Sequence, residues 1–204
     1  MIISHKNKFV FIHISKTAGT SLEIALADYC GKNDIITLNK KNRKKTKFLG
    51  KETNHPGYVD HTSISLVLDN IPKTKNYFKF CFERHPAERV ISLYYHLMRK
   101  SKTMPKMSLS NFIRRGKYKE LHRDGYQLYT SNDAVIMDKI FYYEDLENSL
   151  KDISSLLNIG KLELPITRKY RKNKDSYINI LKEEDKNTLR NFFTKETNLH
   201  GYTI

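Results

Sequence analysis

The sequence of 204 residues has no tryptophan, two cysteines and five prolines, and no uninterrupted apolar run long enough to cross a bilayer. Two cysteines exclude a disulfide framework as the organising principle, so we expect a reducing, cytoplasmic location. Charged residues interrupt the first apolar run, which argues against a secretory signal peptide. We therefore expect one globular domain over residues 1–204, without stable membrane insertion.

Acidic residues are scarce compared with basic ones. The sequence has 22 Asp and Glu residues and 37 Lys and Arg residues, which gives a formal net charge of +15. Three stretches, 32–51, 99–119 and 161–174, together hold 22 basic and two acidic side chains. We expect basic loop insertions over about 32–54 and 99–125. Such basicity suits a nucleic acid, an anionic membrane, an acidic polymer or a phosphate-rich cofactor.

Apolar runs alternate with amphipathic stretches along the chain. The pattern predicts strands over residues 9–14, 77–82 and 139–143, each followed by a helix. Two further helices are predicted over 63–69 and 183–197. Strands that alternate with helices indicate an α/β fold, here a single domain with a central parallel sheet flanked by helices.

Ligands bind beyond the carboxyl ends of the strands in such a sheet, which draws attention to the loop over residues 15–21. It offers a lysine charge, hydroxyl groups and backbone amides at the start of a helix, which together form a phosphate cradle. It is not a Walker A motif, because its lysine precedes its glycine. The candidate anion-binding residues are Lys16, Thr17, Ala18, Gly19, Thr20 and Ser21.

The loop at residues 83–86 follows the second predicted strand and carries Arg84, whose guanidinium can hold a phosphate with two parallel hydrogen bonds. Ser92 lies two helical turns further on, within reach of the same anion. Arg89 is expected to pair with a carboxylate, and direct contact with the phosphate is the alternative. Cys30 and Cys81 are expected at a helix end and in the core.

Residues 14–21 (I-S-K-T-A-G-T-S) and 84–95 (R-H-P-A-E-R-V-I-S-L-Y-Y) resemble the two nucleotide-binding motifs of the sulfotransferases that use 3′-phosphoadenosine 5′-phosphosulfate (PAPS). The second motif has the form found in carbohydrate sulfotransferases. Residues 55–63 (H-P-G-Y-V-D-H-T-S) resemble the segment in which glycan sulfotransferases of the 2-O type carry a catalytic histidine. The resemblance implies a fold like that of the P-loop nucleotide kinases. It also implies PAPS as the sulfuryl donor without a metal, a carbohydrate acceptor and no nucleic-acid partner.

The resemblance also implies roles for single residues. Lys16 would stabilise the leaving phosphate, and His61 would be the catalytic base, with His55 as its rival. A basic loop that closes over the nucleotide would contain Arg168, Lys169 and Arg171.

Two polar residues beside the first motif are given structural roles. We expect His13 to be a hydrogen-bonded core residue. Glu23 is expected on a solvated helix face, although a glutamate could also serve as the base.

Two other functions stay open at this point. A P-loop-type nucleotide or small-molecule kinase would have a similar sheet, with Glu144 and Asp145 after a strand as metal-binding acids. A polyanion-binding or nucleic-acid-binding protein without catalysis would use the basic stretches alone, with salt-sensitive binding. If the chain is a sulfotransferase, we expect stretches 32–51 and 99–119 to surround the entrance for an acceptor that is itself anionic.

Overall fold

The computed structural model describes residues 1–37, 58–100, 105–165 and 177–204. The strands in these ranges are β1 (Ile2–Ser4), β2 (Phe9–Ile12), β3 (Ile35–Ile36), β4 (Phe78–Glu83), β5 (Thr130–Ser131), β6 (Ala134–Val135) and β7 (Lys139–Tyr142). The α-helices are α1 (Gly19–Ala27), α2 (Ile64–Asn70), α3 (Pro86–Lys100), α4 (Leu109–Arg114), α5 (Glu120–Arg123), α6 (Tyr126–Tyr129), α7 (Leu146–Leu156), α8 (Tyr177–Ile180), α9 (Glu183–Phe192) and α10 (Thr194–His200). None of the helices in these ranges is long and apolar enough to span a bilayer.

The central sheet has the strand order β3-β1-β2-β4-β7. Strands β2, β4 and β7 are parallel, with Phe11 paired to Phe80 and Cys81 paired to Ile140. Strand β1 runs antiparallel to both β2 and β3. The predicted α/β fold with a central parallel sheet is therefore confirmed for β2, β4 and β7. The short strands β1 and β3 add antiparallel pairings that the pattern did not predict, so the sheet is mostly parallel.

The sheet is buried on both faces, as the nearly continuous apolar character of β2 requires. Successive side chains of a strand point to opposite faces. Phe9 and Phe11 accordingly pack in a cluster with residues of α1 and α7. Val10 and Ile12 pack in a second cluster, with residues of α2 and α6.

The predicted loop insertion at 99–125 is wrong for the residues that the structure describes there. Residues 105–125 contain α4, a 3₁₀ turn and α5. Phe112, Ile113, Tyr118 and Leu121 are buried against α3 and α9. These apolar side chains recur at intervals that place them on one side of short helices, and their burial stabilises helix where the basic charges indicated loop.

The predicted helix over 183–197 is two helices, α9 and α10, which meet at Phe193. Phe193 is completely buried and packs in the same cluster as Leu189 of α9. The change of direction lets Glu196 of α10 face the protein interior, where it contacts His122. The tertiary contacts of both helices thus decide a break that periodicity alone does not show.

One buried side chain, Arg89 of α3, ties the carboxyl end of the sheet together. Its guanidinium donates to Glu83 Oε1 at 2.9 Å, to the Ser15 carbonyl at 3.2 Å and to the Leu121 carbonyl at 2.8 Å. Arg89 has no solvent exposure. Its predicted pairing with a carboxylate is therefore what the structure shows.

We expect Arg89→Met to lower the free energy of unfolding by about 3–5 kcal/mol, because the buried Glu83 carboxylate would lose its compensating charge. Urea unfolding followed by circular dichroism measures this loss. Arg123→Met is the matched control, since the Arg123 side chain is 71% exposed and its loss should cost about 0.5 kcal/mol or less. Equal losses for the two variants would contradict the role given to Arg89.

Candidate active site

Residues 15–18, here called the anion loop, lie in the connection between β2 and α1 at the carboxyl end of the sheet. Lys16 and Ala18 both have left-handed backbone conformations, with φ of 70° and 67°. Non-glycine residues adopt this region at a cost and concentrate at functional sites when they do. Turns of this kind aim neighbouring amide hydrogens into one concavity that suits an anion.

The start of α1 completes this concavity. The first helical hydrogen bonds run from Ser21 N and Leu22 N to the Ala18 carbonyl, at 2.9 and 3.1 Å. The amides of Gly19 and Thr20 lie ahead of them, at the positive end of the helix dipole. Backbone amides rather than side chains thus dominate this end of the site.

The hydroxyl groups predicted to bind the anion differ in their surroundings. Thr17 is completely buried, and its hydroxyl donates to the Ile14 carbonyl at 2.9 Å. That bond holds the shape of the anion loop. Ser21 is 9% exposed and Thr20 is half-buried, so Thr20 is the better placed of the two to meet a ligand.

Arg84 lies beside the anion loop, as the two predicted motifs require. Its guanidinium donates to the Lys16 carbonyl at 3.4 Å and to Glu88 Oε2 at 3.1 Å. It also lies over the Tyr143 ring, 4.2 Å from the ring centre, a cation–π contact that fixes its position. Ser92 is half-buried two turns along α3. The structure therefore brings Lys16 and Arg84 to one edge of the sheet.

The residues next to Arg84 pack against the carboxyl-terminal segment. Glu144 accepts hydrogen bonds from the His85 backbone amide at 2.7 Å and from the Tyr202 hydroxyl at 3.1 Å. His85 Nε2 lies 3.0 Å from the Thr203 carbonyl, which can only accept, so this nitrogen carries a proton. Glu144 is thus engaged in packing, and the described residues hold no group of three or more metal-ligating side chains.

His61 has the geometry of a general base. Its Nδ1 lies 2.8 Å from the His13 carbonyl, and a carbonyl can only accept, so Nδ1 carries the proton and Nε2 is the basic nitrogen. Burial lowers the pKa of His61, and the neighbouring His13 acts in the same direction. The ring is therefore neutral at neutral pH and able to accept a proton.

His61 opens onto a cavity of about 610 Å³. Val59, 67% exposed, gives this cavity an apolar surface, and Asp60 gives it a carboxylate. The residues that line it are Thr37, Tyr58, Val59, Asp60, His61, Arg123 and Asp124. The Asp124 carbonyl accepts from Ser15 N at 2.9 Å, so the anion loop adjoins the same cavity.

Glu23 is buried, with 1% of its surface exposed. The expectation that it lies on a solvated helix face is therefore wrong. Its Oε2 lies 3.2 Å from His13 Nδ1, and its Oε1 accepts from the Thr37 hydroxyl at 3.3 Å and contacts the Met1 amino group. Burial by itself would raise the pKa of Glu23, but the amino group and His13 lower it to about 2. The carboxylate is tolerated inside because the Met1 ammonium group faces it, and so low a pKa makes it a poor base.

Several predicted residues lie outside the described ranges. They are the rival base His55 and the basic residues Arg168, Lys169 and Arg171. Sequence reasoning also missed two contributors to the site, the buried His13–Glu23 contact and the packing of Tyr202 on Glu144. One signal in the sequence could have indicated the His13–Glu23 contact. Both residues are polar but stand in segments that are otherwise apolar, the end of a strand and a helix.

The chain is similar to known proteins both in sequence and in fold. Residues 1–203 match a family described as the Sulfotransferase family. The fold is similar to that of the mouse sulfotransferase SULT7A1 complexed with PAP, at 13% identity and a TM-score of 0.56, over 98% of this chain and 87% of that one. A sulfotransferase from Alicyclobacillus acidocaldarius aligns at 12% identity and a TM-score of 0.48, over 97% and 96% of the two chains. No curated protein matches the sequence.

We expect stability to fall in mild acid, because burial lowers the pKa of His61, His85 and His200 from the ordinary value of 6.5. The unfolded chain then binds more protons than the folded one. The stabilisation is complete above pH 6.5 and is lost as the pH falls through the lowered folded values. Urea midpoints between about pH 7.5 and about pH 5 measure this loss, and His85→Gln should reduce the slope. A midpoint that stays constant over this range would contradict the expectation.

Proposed function

Because this chain belongs to the sulfotransferase family, we propose that it transfers a sulfuryl group from PAPS to a hydroxyl of a carbohydrate acceptor. The observation that carries the proposal is the joint position of three residues. Lys16 lies on the anion loop, Arg84 contacts that loop at the Lys16 carbonyl, and His61 lines a cavity that the same loop adjoins. One side of the loop therefore suits the donor, and the other suits an acceptor hydroxyl.

The donor side fits a nucleotide with phosphate groups at two positions. The anion loop and the first amides of α1 suit the phosphosulfate, and Arg84 suits a second phosphate. The mouse sulfotransferase of similar fold was solved with PAP, which supports the choice of nucleotide. In this proposal the donor is held by side chains and backbone amides.

The reaction divides its work between two groups of residues. The sulfur–oxygen bond to the donor phosphate breaks while a bond forms between sulfur and the acceptor oxygen. The Lys16 ammonium and the loop amides stabilise the charge that grows on the leaving phosphate. His61 Nε2 takes the proton of the acceptor hydroxyl. The His13 carbonyl holds the His61 ring in the tautomer that makes this possible.

The alternative functions receive no support from the site. A kinase would use Glu144 as a metal-binding acid, but this carboxylate accepts from His85 N and Tyr202. A non-catalytic polyanion binder has no use for a neutral, oriented histidine in a cavity. Family membership favours neither alternative.

We expect Lys16→Ala to reduce sulfuryl transfer about 10²- to 10³-fold, because the leaving charge loses a preorganised cation. His61→Ala should reduce it about 10²- to 10⁴-fold through loss of the base. Transfer of label from labelled PAPS to a panel of glycans measures both effects. Lys151→Ala is the control, because Lys151 is exposed on α7 and pairs with Glu147.

Thermal shifts separate donor binding from catalysis. PAP without Mg²⁺ should stabilise the wild-type protein and His61→Ala, and should stabilise Lys16→Ala less, whereas ATP should have no effect. If His61→Ala keeps wild-type turnover while Lys16→Ala loses it, the base is another residue. If neither variant loses activity, the mechanism is wrong.

We also propose that the acceptor carries negative charge. Arg123, at the end of α5, lines the cavity beside His61, and its Nε donates to Asp124 Oδ1 at 2.9 Å. The segment before α5 has four exposed basic side chains, which are Arg114, Arg115, Lys117 and Lys119. Inside the cavity, Asp60 and Asp124 suit the hydroxyls of a sugar ring, because carboxylates accept hydrogen bonds.

We expect Arg123→Glu to raise the KM for an anionic glycan about tenfold and to change the KM for a neutral glycan little, because charge reversal at the rim acts on charged partners. A higher salt concentration should weaken binding of the anionic glycan and leave binding of the neutral glycan unchanged. Glu147→Lys, a reversal at an exposed position on α7 away from the cavity, is the control. Equal use of neutral and anionic glycans at every salt concentration would contradict the proposal.

A further inference from the structure

A buried pair of titratable side chains, His13 and Glu23, lies next to the candidate base and takes no part in the reaction described above. Both side chains are nearly inaccessible, at 9% and 2% exposure, and His13 Nδ1 is 3.2 Å from Glu23 Oε2. His13 directly follows the last strand residues of β2, and Glu23 lies on α1. The pair therefore bridges the two elements that hold the anion loop between them.

His13 contacts the base in two ways. Its carbonyl accepts the hydrogen bond from His61 Nδ1. Its ring meets the His61 ring edge to face, with the ring centres 5.0 Å apart. A carbonyl alone permits the His61 ring to tilt about the hydrogen bond, whereas a second ring packed against it restricts that tilt.

The same ring also contacts the donor side. A Cβ built on Gly19 would lie 2.0 Å from His13 Cδ2, a distance at which no side chain fits. The His13 ring therefore occupies the space of the missing Gly19 side chain, at the first residue of α1. One imidazole thus touches both the base and the helix that begins at the anion loop.

We propose that the Glu23–His13 pair is a positioning unit, which holds the His61 ring at a set distance and angle from the anion loop. This inference rests on the proposed function. The Glu23 carboxylate lies against Nδ1 of the buried His13 ring and limits the movement of that ring. In-line transfer needs the acceptor oxygen, the sulfur and the leaving oxygen in one line, and the base must meet the hydroxyl at the end of that line. Small errors of placement are costly in such reactions.

Electrostatics around His61 give the proposal a second readout. The groups that face His61 are His13, Asp60, Asp124 and Arg123, which lines the same cavity. His13 lowers the pKa of His61, and the two aspartates raise it. Replacement of His13 by an uncharged ring removes a lowering influence, so the pKa of the base should rise.

The test compares His13→Phe and Glu23→Gln with the wild-type protein. Phenylalanine keeps a ring against His61 and Gly19 but cannot pair with Glu23, and glutamine removes one charge with little change in volume. We expect kcat to fall about 10- to 100-fold in both variants. The KM for PAPS and the thermal shift with PAP should stay close to wild type. For His13→Phe, the acid limb of the pH profile of kcat/KM should move to higher pH.

Glu196→Gln is the matched control. Glu196 is another buried glutamate, 1% exposed, and pairs with a histidine, His122, at 2.8 Å. It lies on α10 and contacts neither His61 nor the anion loop in any described bond. We expect this variant to lose stability, as Glu23→Gln does, but to keep the wild-type kcat and pH profile.

Wild-type kcat and pH profile in both variants would overturn the inference. A loss of kcat matched by loss of the PAP shift, or failure of both variants to fold, would overturn it too, because the pair would then serve only the fold. A failure of the proposed base is recognised separately. In that case His61→Ala keeps its turnover, whereas a failure of this inference leaves His61→Ala inactive and His13→Phe active.

Discussion

The buried guanidinium of Arg89 is the contact on which the arrangement of the site depends. It joins three segments that are distant in sequence, the anion loop through Ser15, the end of β4 through Glu83 and α5 through Leu121. A cation without solvent must satisfy its donors from the protein, so each segment has to present an acceptor at a set position. The position of Arg89 also requires a glycine at residue 125, because a Cβ there would lie 2.3 Å from Arg89 Nη2.

The buried charges and the exposed charges of this protein do different work. Inside, Glu83 is compensated by Arg89, and Glu23 by His13 and the Met1 amino group, and these pairs hold the segments of the site in place. At the edge of the sheet, Lys16 and Arg84 are the cations that we propose for donor binding. Both cations lie outside the three basic stretches, so donor binding does not account for the net charge of +15.

Part of the positive charge that donor binding does not explain lies on the surface of α4 and α5, next to the cavity. The described part of stretch 99–119 folds as short helices whose apolar side chains pack on α3 and α9, and its basic side chains are left outside. Because α5 ends at Arg123 on the cavity wall, the basic surface leads to the candidate base. A basic stretch that looks like a loop in the sequence is therefore a supported surface next to the site.

Much of the architecture could be predicted from local pattern. Apolar runs followed by amphipathic stretches specify β2–α1, β4–α3 and β7–α7, and parallel strands must bring their carboxyl ends to one edge. Lys16 and Arg84 were therefore predictable as neighbours, and the resemblance of the two motifs to the PAPS-dependent sulfotransferases added the expected chemistry. Short elements such as β1, β3 and α4 carry too few residues for periodicity to identify.

The sequence by itself determined the parallel strands of the sheet, the loop between β2 and α1 and the family to which the motifs point, because these depend on residues that are close together along the chain. Only the tertiary structure decided that Glu23 is buried against His13 rather than solvated, that Arg89 joins three segments and that His61 rests on the His13 carbonyl. Each of these depends on groups brought together by folding. A charged side chain can be buried only where distant partners compensate it, and no local pattern records which partners those will be.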